Sequence, residues 1–179
     1  MAKVHHVKKA RKAIPNAGIK VGDSYYWWKL RMPGSRGGTK RISKTYPRQS
    51  QLTLSEYRST AYSIEEEVED AFKVIATKDD VTGLADLLNE KAGEVRDLGS
   101  EQDDKFNNMP EGLQQGETGQ LLETRRDCCE STADNLESAA SEIENIDYDN
   151  CEDKENTTED AYFVDEAQGI ASNISWEWE

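Results

Sequence analysis

The sequence has no long hydrophobic run and little apolar content overall. No window of its 179 residues approaches the roughly 20 apolar residues that a membrane-spanning helix needs. Hydrophobic residues make up 35 % of the chain, whereas globular domains hold about 45–50 % when glycine is counted. We therefore exclude a transmembrane protein and expect part of the chain to be extended or solvated. The first residues also lack the apolar segment of a secretory signal, so none is expected.

Acidic residues are nearly missing from the first third of the chain. Residues 1–60 contain 14 Lys and Arg but only Asp23 and Glu56, a net charge of +12. Residues 61–179 contain 8 Lys and Arg against 34 Asp and Glu, a net charge of −26. The overall charge of −14 thus conceals a basic segment joined to an acidic one. This asymmetry is typical of a polyanion-binding region followed by an acidic tail.

Cysteine is scarce, and motifs for catalysis or metal binding are missing. Cys128 and Cys129 are adjacent, which suits disulfide geometry badly, and Cys151 makes the count odd, so we expect a reducing compartment. Together with His5 and His6 they lack the C-x2-C spacing of a structural zinc site. Phosphate-loop, H-E-x-x-H and G-x-S-x-G motifs are absent too. The sequence therefore predicts a protein without catalytic residues, metal or cofactor.

The beginning of the chain predicts an arm and a small sheet. Residues 1–22 are expected to be a basic mobile arm, and residues 23–50 a basic aromatic β module. Its strands are predicted at 24–32 and 39–46, with a Gly-rich turn between them. A lone hairpin is marginally stable, so a third strand or a helix must cover it. Alternation along the first strand gives an apolar face, Tyr26, Trp28, Leu30 and Met32, and an opposite face, Tyr25, Trp27, Lys29 and Arg31.

Residues 53–147 predict an acidic helical region. A capping box with Thr53 as N-cap begins the first helix, a second begins near Asp79 or Asp80, and a third covers about 117–146. Narrow apolar stripes predict a long antiparallel helical hairpin or a thin coiled-coil bundle. The fold class is therefore predicted to be α+β. The stripes are Tyr57, Ala61, Ile64, Val68, Ala71 or Phe72, and Ile75; then Val81, Leu84, Leu88, Val95 and Leu98; then Leu122, Cys129, Leu136, Ala140 and Ile143.

The end of the chain is predicted to be an acidic, mostly disordered tail over residues 148–179. A short strand is expected at 173–179, because Ile174, Trp176 and Trp178 alternate with polar residues. We hypothesise that this strand docks on the edge of the basic hairpin and acts as an autoinhibitory lid.

The basic aromatic β module predicts a nucleic-acid interface. Cations suit phosphates, and flat rings suit bases. The basic arm would lie along a groove, as flexible arms do. The predicted contacts to DNA or RNA are Tyr25, Trp27, Lys29, Arg31, Arg36, Lys40, Arg41 and Lys44.

Two resemblances accompany this prediction. Residues 20–50 are similar to the arm-binding β modules of phage integrases, which implies a DNA-binding surface without the catalytic segment. Three further segments resemble uncharacterised small proteins encoded by tailed bacteriophages, which implies a phage origin and a place in the host bacterial cytoplasm but no activity. Those segments are GDSYYWWKLRMPG at 22–34, SKTYPRQSQLTLSEY at 43–57 and NMPEGLQQGETGQLLETR at 108–125.

The acidic helices leave a competing hypothesis open. Rows of carboxylates can imitate phosphates, so the protein could instead be a DNA-mimic-like inhibitor of a host defence or transcription enzyme. The helices would then be the active surface. Under the leading hypothesis they mediate self-association into a homo-oligomer or bind a host protein, and no membrane partner is expected.

Overall fold

The structure is a computed structural model that describes residues 2–31, 34 and 37–178. The contacts divide the chain into two compact units, Met1–Ser63 and Ile64–Glu179. The fold is α+β, as predicted. Within the described ranges, no helix is both long enough and apolar enough to cross a membrane. The elements are β1 (His5–Val7), β2 (Tyr25–Leu30), β3 (Thr39–Ser43), α1 (Glu56–Val74), α2 (Lys78–Asn107), α3 (Glu111–Gln114), α4 (Glu117–Glu144) and α5 (Glu159–Asn173).

The first unit contains a three-stranded antiparallel sheet with β2 in the middle. The predicted alternation along β2 is confirmed, since Trp28 and Leu30 are buried while Lys29 between them is exposed. The indole N–H of Trp28 donates to the carbonyl of Gln51, at 3.0 Å, in a 3₁₀ turn at Gln49–Leu52. This bond satisfies the only polar atom of a buried indole and fixes the turn against the sheet.

The prediction of a mobile arm over residues 1–22 is wrong at β1, which pairs with β2 along its free edge. The His5 ring stacks on Trp27 at 4.2 Å between centroids, and the His6 ring stacks on Tyr26 at 4.6 Å. An uncovered β2 edge would leave backbone groups unpaired, and β1 pairs them while covering the aromatic rings.

The segment after β1 is also held in place. The backbone N–H of Ala10 donates to the backbone carbonyl of Asp23 at 2.8 Å, and the backbone N–H of Gly22 donates to the backbone carbonyl of Ala10 at 2.9 Å. A β-bridge joins Ile14 to Ile19, and Ile19 is 2 % exposed. This part of the predicted arm is therefore a folded extension of the sheet.

The second unit is built on α2 and α4, which lie antiparallel as the predicted helical hairpin. Arg96 of α2 reaches Glu137 of α4, and nearer the turn Gly99 lies against Cys129. A Cβ at position 99 would meet the Cβ of Cys129 at 3.0 Å, so glycine permits this close approach.

The apolar stripes predicted for α1, α2 and α4 are confirmed, because most of their residues are buried. The buried stripe residues are Tyr57, Ala61, Ile64, Val68, Phe72, Val81, Leu84, Leu88, Val95, Leu98, Leu122, Cys129, Leu136, Ala140 and Ile143.

The starts of α1 and α2 differ slightly from the predicted positions. The hydroxyl of Ser55 accepts a hydrogen bond from the backbone N–H of Arg58 at 3.4 Å, so Ser55 takes the place predicted for Thr53 at the start of α1. Before α2, Thr77 and Asp80 form a capping box. The helix α2 therefore begins at Lys78, one residue before the predicted start near Asp79 or Asp80, and Asp80 lies in its first turn.

The prediction of a mostly disordered tail with a terminal strand is wrong. Residues 159–173 form α5, which begins at the N-cap Thr158 and packs on α2 and α4. Phe163 and Ala167 are its buried residues, spaced four apart on one face. Asn173 is the last residue of this helix, and residues 174–178 form no strand.

Candidate nucleic-acid interface

One face of the sheet gathers most of the predicted contact residues. We call the outer face the side of β2 that carries Tyr25, Trp27 and Lys29, opposite the buried Trp28 and Leu30. Side chains on directly opposed positions of neighbouring strands share a face. The register therefore adds His5 and Val7 from β1 and Lys40 and Ile42 from β3 to the outer face.

Trp27 is enclosed between its neighbours rather than open to solvent. The His5 ring lies parallel to it, with 9° between the ring planes. The ammonium of Lys40 lies 4.7 Å from the ring centroid. The stacked imidazole leaves no room for an ammonium on its own side, so the two occupy opposite faces of the indole. Trp27 consequently presents its edge, and a base would have to displace His5 or Lys40 to stack on it.

Lys29 and Lys40 lie directly opposite each other on β2 and β3. Like charges at opposed positions destabilise a sheet. Both side chains are exposed, and among the described residues neither forms an ion pair with a carboxylate. A bound anion would relieve this repulsion, so the pair is a candidate phosphate contact.

The remaining cations of β3 and its end are not on the outer face. Arg41 lies opposite Trp28 and therefore on the other side of the sheet. Lys44 forms an ion pair with Asp23 at 3.6 Å. The backbone N–H of Lys20 and then the charge of Lys44 hold the pKa of Asp23 below its usual range. Lys44 is thus partly neutralised within the unit.

Three other predicted contacts have separate positions. Tyr25 is half-buried at the start of β2, and Arg31 follows the end of β2 and is exposed. Arg36 lies outside the described residues. The structure thus brings together Tyr25, Trp27, Lys29 and Lys40, and it places Arg41 and Lys44 elsewhere.

A cleft of about 690 Å³ lies beyond the end of β2 in the same unit. Sequence reasoning missed two of its cations, Lys3 and Arg58, because 55 positions separate them and no local pattern connects them. The described lining residues are Ala2, Lys3, Lys29, Leu30, Arg31, Gln49, Leu52, Thr53, Leu54, Arg58 and Tyr62.

Comparison with protein-family models, with curated proteins and with solved structures gave no match. Within the part of the chain that the structure describes, no group of three or more His, Cys, Asp or Glu side chains is arranged to hold a metal ion.

The C-terminal segment packs on the helices of its own unit, which corrects the predicted docking on the hairpin. Ile174 and Trp176 line a groove of about 390 Å³ together with Val68 and Phe72 of α1. The indole N–H of Trp178 donates to the carboxylate of Glu65 at 2.8 Å. Ile174, Trp176 and Trp178 therefore do share one contacting face, as their alternation predicts, but this face contacts helices and not the sheet.

Two backbone contacts hold the same segment on α4. The hydroxyl of Thr132, which is fully buried, accepts from the backbone N–H of Glu177 at 3.4 Å. The side-chain amide of Asn135 donates to the carbonyl of Ser175, also at 3.4 Å. Pairing with helix side chains, rather than with a strand edge, explains why residues 174–178 do not form a strand.

Proposed function

We propose that the first unit binds nucleic acid through its outer face, with the second unit serving self-association or binding of a partner protein. The observation that carries this proposal is the opposed pair Lys29 and Lys40, which repel each other and have no carboxylate partner among the described residues. The unit as a whole supports it, because residues 1–63 hold 14 Lys and Arg against 2 acidic residues. An excess of exposed cations on one unit is the electrostatic footprint of a phosphate-binding surface.

The geometry favours phosphate contact over base stacking at this face. Both sides of the Trp27 ring are occupied, whereas Lys29 and Lys40 are exposed. We therefore expect binding of low sequence specificity and strong salt dependence. A phage-infected bacterial cytoplasm is the proposed setting, and the resemblance to phage-encoded proteins is its sole support.

The test compares two neighbouring cations on opposite faces of β3. In the full-length protein, Lys40→Ala should raise the Kd for a labelled oligonucleotide about fivefold and reduce the slope of log K against log salt by about 0.7–0.9. Arg41→Ala removes the same charge from the other face and should change both quantities much less. Fluorescence anisotropy over a salt series measures both. Equal losses in the two variants, or no binding at low salt, would contradict the proposal.

A second proposal concerns the acidic unit and rests on its uncompensated carboxylates. Residues 64–179 hold 34 acidic residues and 8 basic ones. Seven of these cations form ion pairs with carboxylates of the same unit. The surplus negative charge therefore faces solvent and suits a basic, DNA-binding partner. The paired cations are Lys73, Lys78, Lys91, Arg96, Lys105, Arg126 and Lys154.

Competition with DNA tests this second proposal. The full-length protein is used as bait in a bacterial lysate, and captured proteins are then challenged with duplex DNA. Release of DNA-binding enzymes by the duplex would support phosphate mimicry. Capture that the duplex leaves unchanged, or no capture, would contradict it.

A further inference from the structure

The cleft beyond β2 combines positive charge with apolar surface. Four cations line it, Lys3, Lys29, Arg31 and Arg58, and its described lining contains no carboxylate. All four are exposed, and in the described part of the chain none forms an ion pair. Neighbouring cations repel each other unless an anion neutralises them. This arrangement therefore fits an anionic ligand.

The apolar part of the cleft distinguishes it from a simple phosphate site. Leu52, Leu54 and Tyr62 line it beside the cations. Leu54 is 48 % exposed although it is a large hydrophobic residue, so its surface is open to a ligand. A volume of about 690 Å³ falls within the range of roughly 300–1,000 Å³ that is usual for small-ligand sites. A ligand with one phosphate and one flat ring that can stack through its faces, such as a nucleotide, satisfies both parts.

We propose that this cleft takes one nucleotide of a single-stranded nucleic acid, with its phosphate on Arg31 and Arg58 and its base against Leu54 and Tyr62. This inference rests on the proposed nucleic-acid binding of the first unit. Lys29 belongs to both the outer face and the cleft, so a strand lying along the outer face is led into the cleft. In a duplex the bases are paired and stacked inside, and only a single strand can insert a base at low cost.

The experiment measures binding of the full-length protein to three labelled probes of about twelve nucleotides: oligothymidine, a duplex, and an abasic strand with the same backbone. We expect oligothymidine to bind about tenfold more tightly than either of the other two, because base contacts add to phosphate contacts. Thymidine monophosphate is a fourth probe. If it binds as tightly as the strand, the assignment to a strand is overturned and the ligand is a free nucleotide.

Variants test the two parts of the cleft separately. Arg58→Ala should raise the Kd for all strands about fivefold, whereas Tyr62→Leu should raise it about fivefold for oligothymidine and leave the abasic strand unchanged. Lys20→Ala is the matched control, since it removes one charge from the same unit outside the cleft. Circular dichroism checks folding. If Tyr62→Leu loses helical signal, Leu54→Ser at the exposed rim takes its place.

The outcomes separate this inference from the function on which it rests. Equal affinity for oligothymidine and duplex, with Arg58→Ala no worse than Lys20→Ala, would overturn the cleft while leaving outer-face binding in place. No binding of any probe at low salt would overturn both.

Discussion

Replacing Trp178 by phenylalanine should release the C-terminal segment from its helix surface about five times more often. Phenylalanine keeps a ring in the groove but removes the N–H that donates to Glu65 at 2.8 Å. A hydrogen bond to a charged group is worth about 1.5–3 kcal/mol. Because Glu65 is half-exposed, we take about 1 kcal/mol, which is a factor of about five in the docking equilibrium.

The stability of the folded protein should also depend on the protonation of Glu65. Desolvation on burial raises the pKa of Glu65 above its usual 4.5, although the hydrogen bond from Trp178 acts the other way, and the nearby Glu69 and Glu66 add to the rise. The folded state therefore binds a proton at Glu65 more tightly than the unfolded chain does. The resulting stabilisation is complete below about pH 4.5 and is lost as the pH rises through the raised pKa. Glu65→Gln keeps an acceptor for the indole and should flatten this dependence.

Hydrogen exchange of the C-terminal peptide measures the first effect, and urea unfolding at a series of pH values measures the second. Trp176→Phe is the matched control, because the Trp176 indole has no hydrogen bond among the described residues while its ring stacks on Trp178. The reasoning is refuted if Trp178→Phe and Trp176→Phe reduce protection equally, or if Glu65→Gln leaves the pH dependence of the free energy of unfolding unchanged.

Two further predictions concern the second unit. Gly119→Ala should destabilise the protein by at least about 2 kcal/mol, because the new Cβ would overlap the backbone carbonyl oxygen of Gln114, whose side-chain amide caps α2. Gly93→Ala lies on the exposed side of α2, where a new Cβ meets no atom within 4 Å, so it should stabilise the protein by about 1 kcal/mol. Urea unfolding followed by circular dichroism compares the two variants. An equal loss of stability in both would contradict the argument. Cys129 is 0 % exposed and the other two cysteines are half-buried, so a thiol reagent should modify two thiols in the folded protein and the third only after unfolding. Rapid modification of Cys129 would show that α2 and α4 separate easily.

The long elements were predictable because their patterns are local. In α2 and α4 the apolar residues recur every three or four positions, and residues such as Leu88 and Leu136 are fully buried as that period predicts. In β2 the alternation predicted the burial of Trp28 and Leu30. Each of these patterns shows which side of a single helix or strand faces the core. The sequence of that one element is therefore enough to predict its buried residues.

What the sequence did not predict depends on contacts between distant residues. His5 and His6 form a strand because they pair with β2 some twenty positions later, and three residues alone carry no periodic signal. The helix α5 had a local signal in the N-cap Thr158 and in Phe163 and Ala167, but the surrounding acidic residues concealed it. The cleft cations, similarly, come together only once the sheet and α1 have formed.

The division of charge between the two units has a consequence for the protein in concentrated solution. A chain with +12 on one compact unit and −26 on the other is a two-block polyampholyte. At low ionic strength the basic block of one molecule is attracted to the acidic block of another, and such head-to-tail contacts can continue from molecule to molecule. Added salt screens this attraction beyond about 10 Å at 0.1 M. The protein should therefore become turbid on dialysis into water and clear again when salt is restored.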